Sequence, residues 1–438
     1  MPALQPRDES AIRELIRKLV ARELPPADSL PGDGQDLVKT GVIDSMGWVG
    51  ILSGIEEATA IRNFGASWPE GRPQSIRALA SAVHKGLGES KSRSGTVGSR
   101  GDASRDIAVS VAGWGYSLGA RRLGAAEVEE ECGLPAGTIL GRAGIQSVSR
   151  AAGDETETSL GVRAAELALE KAELGPEDVD VLVATSATSL GFPSLAALLH
   201  SRLLVPESCA ALDVGGACVG IIHAFAAAQG WLGGSRHRVA LIVASEVNSR
   251  ALARPGVPGE FRGLFGDGAS AFVLRQTEDS APAHFRWGDI LSGCAGAHSS
   301  ALSVIPGATG NLDVIFRGEQ LATAAVSSLC QIVERLERLS GKSRTQVDCF
   351  ALHEPNPRLV EIFAARAGIP MEKIPRIAQT AGNLGSVTCG VNLCAALSRL
   401  EEADPQSRER LIFTAAVAPG LLWAGAYLQQ INHDKPIS

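Results

Sequence analysis

The chain repeats one α/β unit, and such a repeat limits the fold more than composition does. In the first copy a helical run precedes residues 179–187 (VDVLVATSA). In the second a helical run precedes 347–355 (VDCFALHEP). Each stretch is followed by a helix and then by a glycine turn that opens a helix of small residues. The turns are Gly215-Gly-Ala-Cys218 and Gly382-Asn-Leu-Gly385. Each copy closes with a strand pair, 239–245 with 269–274 and 411–417 with 421–428. A chain built this way packs two sheets with shared helices between them. The two glycine turns then face each other across a pseudo-twofold axis, and His353 stands at the end of the strand that echoes Thr185.

The first turn carries the chemistry. It reads Asp213-Val-Gly-Gly-Ala-Cys-Val-Gly220, with an apolar run (210–214) before it and a longer one (221–232) after it. The pattern is strand, tight turn, buried helix, with Cys218 at the helix start. The unpaired N–H groups and positive dipole end of a helix favour a thiolate, the form of cysteine that attacks carbonyl carbon. Gly216 and Gly220 flank Cys218 at nucleophile-elbow spacing, with Cys in place of Ser. The turn alone equally suits an inert packing thiol.

Composition narrows the class. The 438 residues suffice for two or three domains, and 49 glycines with few aromatics suit close helix-on-sheet packing. The net charge of −7, without a Lys/Arg block, argues against nucleic acid as a partner. Eight scattered cysteines with no C-x-x-C pair read as reduced thiols of a cytoplasmic protein, with neither a disulfide framework nor a metal site. Charged residues from Arg7 to Glu14 leave no signal-peptide core. The uncharged run 411–428 is broken by Pro419-Gly420 and reads as two buried strands, not a membrane span.

Ahead of the repeat lies a small helical module. Ile12, Leu15, Ile16, Leu19 and Val20 recur at helical spacing after Ser10, a residue type expected at an N-cap. A Pro/Gly/Asp-rich loop (25–35) follows. Gly41-Val-Ile-Asp-Ser-Met-Gly47 then opens a second helix through Ile51, Leu52 and Ile55, and Ile76, Leu79, Ala80 and Val83 mark a third. The module reads as small and weakly packed, and Gly47, Gly50 and Gly54 cost its second helix about 1 kcal/mol each relative to Ala, which points to a labile or degenerate module. Residues 86–106 lack apolar periodicity and read as a flexible linker spanning roughly 25 Å.

Gly-Val-Ile-Asp-Ser-Met resembles the phosphopantetheine attachment site of acyl and peptidyl carrier proteins, over residues 8–86. The resemblance implies that Ser45 carries a covalent 4′-phosphopantetheine arm, and that Asp44 helps a phosphopantetheinyl transferase dock. Asp44 or Ser45 acting only as a helix cap is the plainer alternative.

Residues 107–438 resemble the thiolase fold, and within it the type III β-ketoacyl-carrier-protein synthases. The resemblance rests on Gly144-Ile145, Ser186–Ser194 (SATSLGFPS), the Cys218 turn, Phe265-Gly-Asp-Gly-Ala269, His353-Glu-Pro-Asn356 and Gly382-Asn383. It implies a duplicated five-layered α-β-α-β-α fold behind a small all-α carrier bundle. The expected boundaries are 1–87 for the carrier-like domain, 88–105 for the linker and 106–438 for the ketosynthase-like domain, with halves near 106–280 and 281–438. It also implies that Cys218 accepts the acyl group while His353 and Asn383 activate the extender. Phe192 would bound the partner's acyl site across a homodimer interface, Arg358 would meet a carrier protein, and Asn356 belongs to the same pocket. Acyl-CoA and a malonyl-type thioester on a carrier are the implied substrates. His223 is expected to pack or to hydrogen-bond, and Asp267 to hold a turn.

Three departures stand out. Pro419 occupies the middle of the family's closing glycine triplet, where a backbone N–H joins that of Cys218 in an oxyanion hole. Proline has no N–H; either Gly420 donates instead or the hole is impaired. Leu384 replaces a small hydroxylated residue, and Glu354-Pro355 replaces Gln-Ala. These point to a specialised polyketide- or fatty-acid-like product. Two rivals remain: acyl transfer through Cys218 without C–C bond formation, and a degenerate, non-catalytic partner.

Overall fold

Long apolar runs become strands covered on both faces. Val239–Val247 is the clearest case, with all nine residues buried. The computed structural model describes residues 9–24, 29–43, 45–59, 74–89, 108–189, 191–234, 236–277, 285–307, 310–402 and 409–430. Asp44 and residues 90–105 of the expected linker lie outside them.

Among the described residues nine strands of the large domain form one mixed sheet, while Arg121–Gly124 pairs with Ser147–Arg150 and Leu302–Pro306 with Leu312–Phe316 in two small antiparallel ribbons. The order of the large sheet is Cys349–Leu352, Leu411–Ala418, Leu422–Gln429, Phe285–Cys294, Ala108–Leu118, Asp267–Thr277, Val239–Val247, Val181–Thr185 and Ala210–Asp213. The two halves expected as separate sheets are therefore joined. The seam is short, with only Ser110↔Arg286 and Val111↔Phe285 paired across it. The expected closing pairs are antiparallel, Val239–Val247 with Asp267–Thr277 and Leu411–Ala418 with Leu422–Gln429.

The helices Gly220–Leu232 and Ser386–Glu401 form the middle layer. Phe225 and Val387 share one core with Ile242 and Phe272 of the first half and with Ile412 and Ala424 of the second. Glu157–Lys171 and Leu195–Leu203 cover the outer face of the first half, and Gly318–Ser340 and Pro357–Ala367 that of the second. These are the five layers of a thiolase-like α/β fold.

The N-terminal helices Glu9–Glu23, Ser45–Thr59 and Ile76–Glu89 close around their own core, with Ile16, Trp48, Ile55 and Leu79 almost wholly buried. The weak packing expected of this module is not found. A Cβ on Gly54 would stand 2.4 Å from Leu19 Cδ2, and one on Gly50 2.5 Å from Glu23 Oε1. The glycines let the first two helices approach closely, and the packing offsets their low helix propensity.

The second helix also docks outward. Val49 enters the core formed by Gly318–Ser340 and Pro357–Ala367. Ser53 and Glu56 are buried, and Glu56 Oε2 lies 2.7 Å from Arg366 Nη2. Positions 49, 53 and 56 lie along one stripe of the helix. The bundle expected to swing on its linker is thus packed against the second half, held by Val49 in the neighbouring core and by a buried ion pair.

Candidate active site

The cysteine turn is built by its neighbours. Asp213 at the end of its strand accepts from the N–H groups of Leu195 and Ala196, at 3.0 and 2.8 Å, and so ties the strand to the start of the helix Leu195–Leu203. Cys218 lies in the short 3₁₀ turn Ala217–Val219, just ahead of the helix Gly220–Leu232. His223 Nδ1 is 3.2 Å from the Gly215 carbonyl and braces the turn from behind. The opposing turn needs Gly382, whose φ is +76° and whose Cβ would fall 2.9 Å from Val148 Cγ1.

Cys218, His353 and Asn383 line one cavity of about 700 Å³. Its walls are mainly apolar, with Ile139, Phe261, Leu264, Leu312, Phe316 and Leu359 among them, and Asn356 and Pro419 line it as well. Asn356 Oδ1 caps the helix Pro357–Ala367 by accepting from Leu359 N–H at 2.9 Å.

The protonation states follow from burial. Burial, and next the charge of Glu246, push the Cys218 thiol up to about 12. These surroundings favour the neutral thiol at rest, against the thiolate that the helix start favours. The half-buried sulfur sits on the apolar cavity wall, a carboxylate stands near it, and the helix proper begins only at Gly220. Burial pushes His353 down to about 3, so its imidazole is neutral. Among the described residues His353 Nδ1 has no hydrogen-bond partner. Asn383 Oδ1 accepts from Gly385 N–H at 2.9 Å and from Thr388 Oγ1 at 3.3 Å. With the oxygen engaged, the NH2 group is what Asn383 has left to offer a ligand. A neutral imidazole and an amide NH2 on one wall can stabilise oxygen that gains negative charge.

Other expected site residues lie elsewhere. Pro419 lines the cavity, and Gly420, the alternative second oxyanion donor, follows it with φ at +118°. Phe192 is fully exposed, away from the cavity. Arg358 is exposed, and its Nη2 donates to the Gly141 carbonyl at 2.7 Å. Ser45 is the first residue of the helix Ser45–Thr59. Asp267 is buried and accepts from Ala151 N–H and from Ser249 N–H and Oγ, at 2.6–2.8 Å, joining three segments where a simple turn was expected.

Glu246 was not singled out from the sequence. It is wholly buried, and its carboxylate accepts from Ser386 Oγ at 2.6 Å and from the N–H groups of Ala187 and Thr188 at 3.0 and 3.1 Å. It therefore holds together two cavity walls from behind. The available signal was a lone carboxylate within an otherwise apolar strand.

Residues 212–296 match the family described as 3-oxoacyl-[acyl-carrier-protein (ACP)] synthase III, and residues 338–430 match its C-terminal part. The chain is 30% identical over 328 residues to the β-ketoacyl-[acyl-carrier-protein] synthase III of Rhizobium meliloti (strain 1021), covering 73% of this chain and 98% of that protein. It is 31% identical over 303 residues to the protein of the same name from Methylococcus capsulatus, covering 66% and 89%. The crystal structure of 3-oxoacyl-[acyl-carrier-protein] synthase III from Aquifex aeolicus VF5 superposes with a TM-score of 0.64 at 26% identity, covering 74% of this chain and all of that one. The priming β-ketosynthase of the R1128 polyketide pathway shares the fold, with a TM-score of 0.64 at 24% identity. With the repeat, the layers and the composition of the cavity wall in agreement, the chain belongs to the β-ketoacyl-[acyl-carrier-protein] synthase III family.

Proposed function

We propose that the large domain is a condensing ketosynthase acting on thioesters through Cys218, His353 and Asn383. The observation that carries the reading is the shared cavity, with a thiol, a neutral imidazole and an amide NH2 on its walls. The Cys218 sulfur attacks an acyl-CoA or acyl-carrier thioester. A new thioester forms, and the leaving thiol departs with the proton that Cys218 gives up. A malonyl-type thioester then loses carbon dioxide. The electron pair of the broken C–C bond becomes an enolate, whose oxygen faces the His353 and Asn383 donors. The enolate carbon attacks the acyl carbon, the Cys218–acyl bond breaks, and the released thiolate takes a proton from the medium.

Neutral donors suit this sequence. They stabilise the enolate without holding the substrate carboxylate, which must leave. At the acylation step Pro419 has no N–H to give, so the backbone donors are the Cys218 N–H and, where the register shifts by one, that of Gly420.

We further propose that the N-terminal bundle is a carrier-like domain with Ser45 as attachment site and Asp44 beside it as a contact for the transferase. The support is sequence resemblance and the position of Ser45 at the head of a helix. A 4′-phosphopantetheine arm there would supply a tethered thioester. A homodimer is proposed from the fully exposed Phe192 and from the strand Ala210–Asp213 at the open edge of the sheet. Cytoplasmic residence is proposed from eight unpaired cysteines. The deciding experiment follows labelled acyl-CoA onto the intact protein, with malonyl thioester added to chase it. Acylation of Cys218 followed by a β-ketoacyl product is expected. Acyl transfer without carbon dioxide release, or equal activity in Cys218→Ala, would overturn the reading.

A further inference from the structure

Glu354 follows His353 and is wholly buried. Its Oε2 accepts from Ala378 N–H at 2.9 Å, and its Oε1 lies 3.6 Å from Arg376 Nε. Arg376 also reaches Glu361, with Nη2 2.9 Å from Oε1. Ala378 opens the short helix Ala378–Ala381, which runs directly into Gly382 and Asn383. A second tie runs alongside. Asn392, also buried, accepts from Ile377 N–H at 3.1 Å and donates from Nδ2 to the Leu352 carbonyl at 2.9 Å. The segment leading to Asn383 is thereby clamped to the strand end that carries His353.

We propose that Glu354 is a positioning residue that sets the placement of Asn383 relative to His353 by clamping the Ala378 segment to the histidine's strand. The proposal rests on the condensing reading for its catalytic consequence. A glutamine, the residue that the family resemblance implies at 354, can accept from Ala378 but cannot ionise or form an ion pair with Arg376. In this chain the clamp is therefore pH-dependent. Burial pushes the Glu354 carboxyl up to about 7, against the pull of Ala378, Arg376 and Asn392. Arg376 and the Asn392 amide face it, with neutral His353 beside it on its own strand. Above that pH the carboxylate is an anion and the clamp is strong. Below it the ion pair is lost and Ala378 faces a weaker acceptor.

The test uses the full chain and its Glu354→Gln and Glu354→Met variants between about pH 6 and 8. Carbon dioxide release from carboxyl-labelled malonyl-CoA, acetyl loading of Cys218 from acetyl-CoA, and the imidazole ¹⁵N resonances of His353 are followed together. The parent's carbon dioxide release should fall about tenfold from pH 8 to pH 6, as one ionisation near 7 requires. The Gln variant should flatten that profile. The Met variant, which has no acceptor, should release carbon dioxide about 10- to 100-fold more slowly at every pH with loading unchanged. A Met variant as fast as the parent, a Gln variant with the parental profile, or loading that falls in step with carbon dioxide release would each overturn the proposal. Should no protein release carbon dioxide, the condensing reading fails, and the His353 resonances decide the proposal instead. A transition centred near pH 7 that vanishes in the Gln variant supports it, and its absence in the parent overturns it.

Discussion

Arg366 Nη2 lies 2.7 Å from Glu56 Oε2, and this pair fastens the N-terminal bundle to the outer helix of the second half. Both side chains are largely removed from water, with 14% of Arg366 and 1% of Glu56 exposed. Removing one member strands the other charge in a site built for two, a change that typically costs about 3–5 kcal/mol. Arg366→Met should therefore loosen the docked helix Ser45–Thr59. Hydrogen exchange across that helix should quicken, while exchange in the strand Val239–Val247 stays as it was. Unchanged protection of residues 45–59 would show that the burial of Val49 holds the bundle without the ion pair.

The neutral thiol of Cys218 predicts slow alkylation. Its ionisation lies near 12, so only a trace of thiolate exists at neutral pH. Iodoacetamide at pH 7 should label exposed Cys294 before Cys218. Because the Glu246 charge opposes the thiolate, Glu246→Gln should speed labelling of Cys218 at constant pH. Mass spectrometry of the alkylated peptides reads both results, and Cys218 labelled first would contradict them.

Pro419 tests the oxyanion step apart from the enolate step. Loss of one oxyanion donor typically costs about 10²–10³ in rate. Pro419→Gly restores an N–H at the cavity wall and should accelerate acylation of Cys218 by up to about 10²-fold. Carbon dioxide release from malonyl thioester in the absence of acyl donor should change little. Rapid-quench measurement of acyl-enzyme formation checks this, and equal acylation rates would remove the oxyanion role from this position.

His353 and Glu354 are neighbours whose ionisations affect stability in opposite directions. Folding pushes His353 down, from 6.5 to about 3, so its contribution is present above pH 6.5 and lost as pH falls towards 3. The loss is about 1.4 kcal/mol per pH unit across that window. Folding pushes Glu354 up, from 4.5 to about 7, so its contribution is present below pH 4.5 and lost as pH rises through 7. The raised value amounts to a cost on the order of 3 kcal/mol at pH 8. Urea unfolding should show His353→Leu flattening the acid limb and Glu354→Gln gaining stability at pH 8 but not at pH 4. A gain of equal size at both pH values would tie the Glu354 effect to packing and not to charge.

The layers, the repeated unit and the glycine turns were legible in the chain because each is written in neighbouring residues. Alternating and helical apolar spacing names the elements, and the echo of 179–187 in 347–355 names the duplication. The same short-range reading misjudged the bundle, since the partners of Gly50 and Gly54 lie on another helix. It also missed Glu246, whose partner Ser386 is 140 residues away.

By itself the sequence determined which side chains have the chemistry to form a thioester and to stabilise an enolate, because residue type and local spacing need no third dimension. Only the tertiary structure decided their charge and their setting. The Cys218 thiol and the His353 imidazole are neutral because distant segments enclose them. The clamp of Glu354 on Ala378 and the pairing of Glu56 with Arg366, 310 residues apart, exist only once folding brings those segments together. Ionisation depends on what surrounds a group, and in this chain the surroundings come from both copies of the repeat.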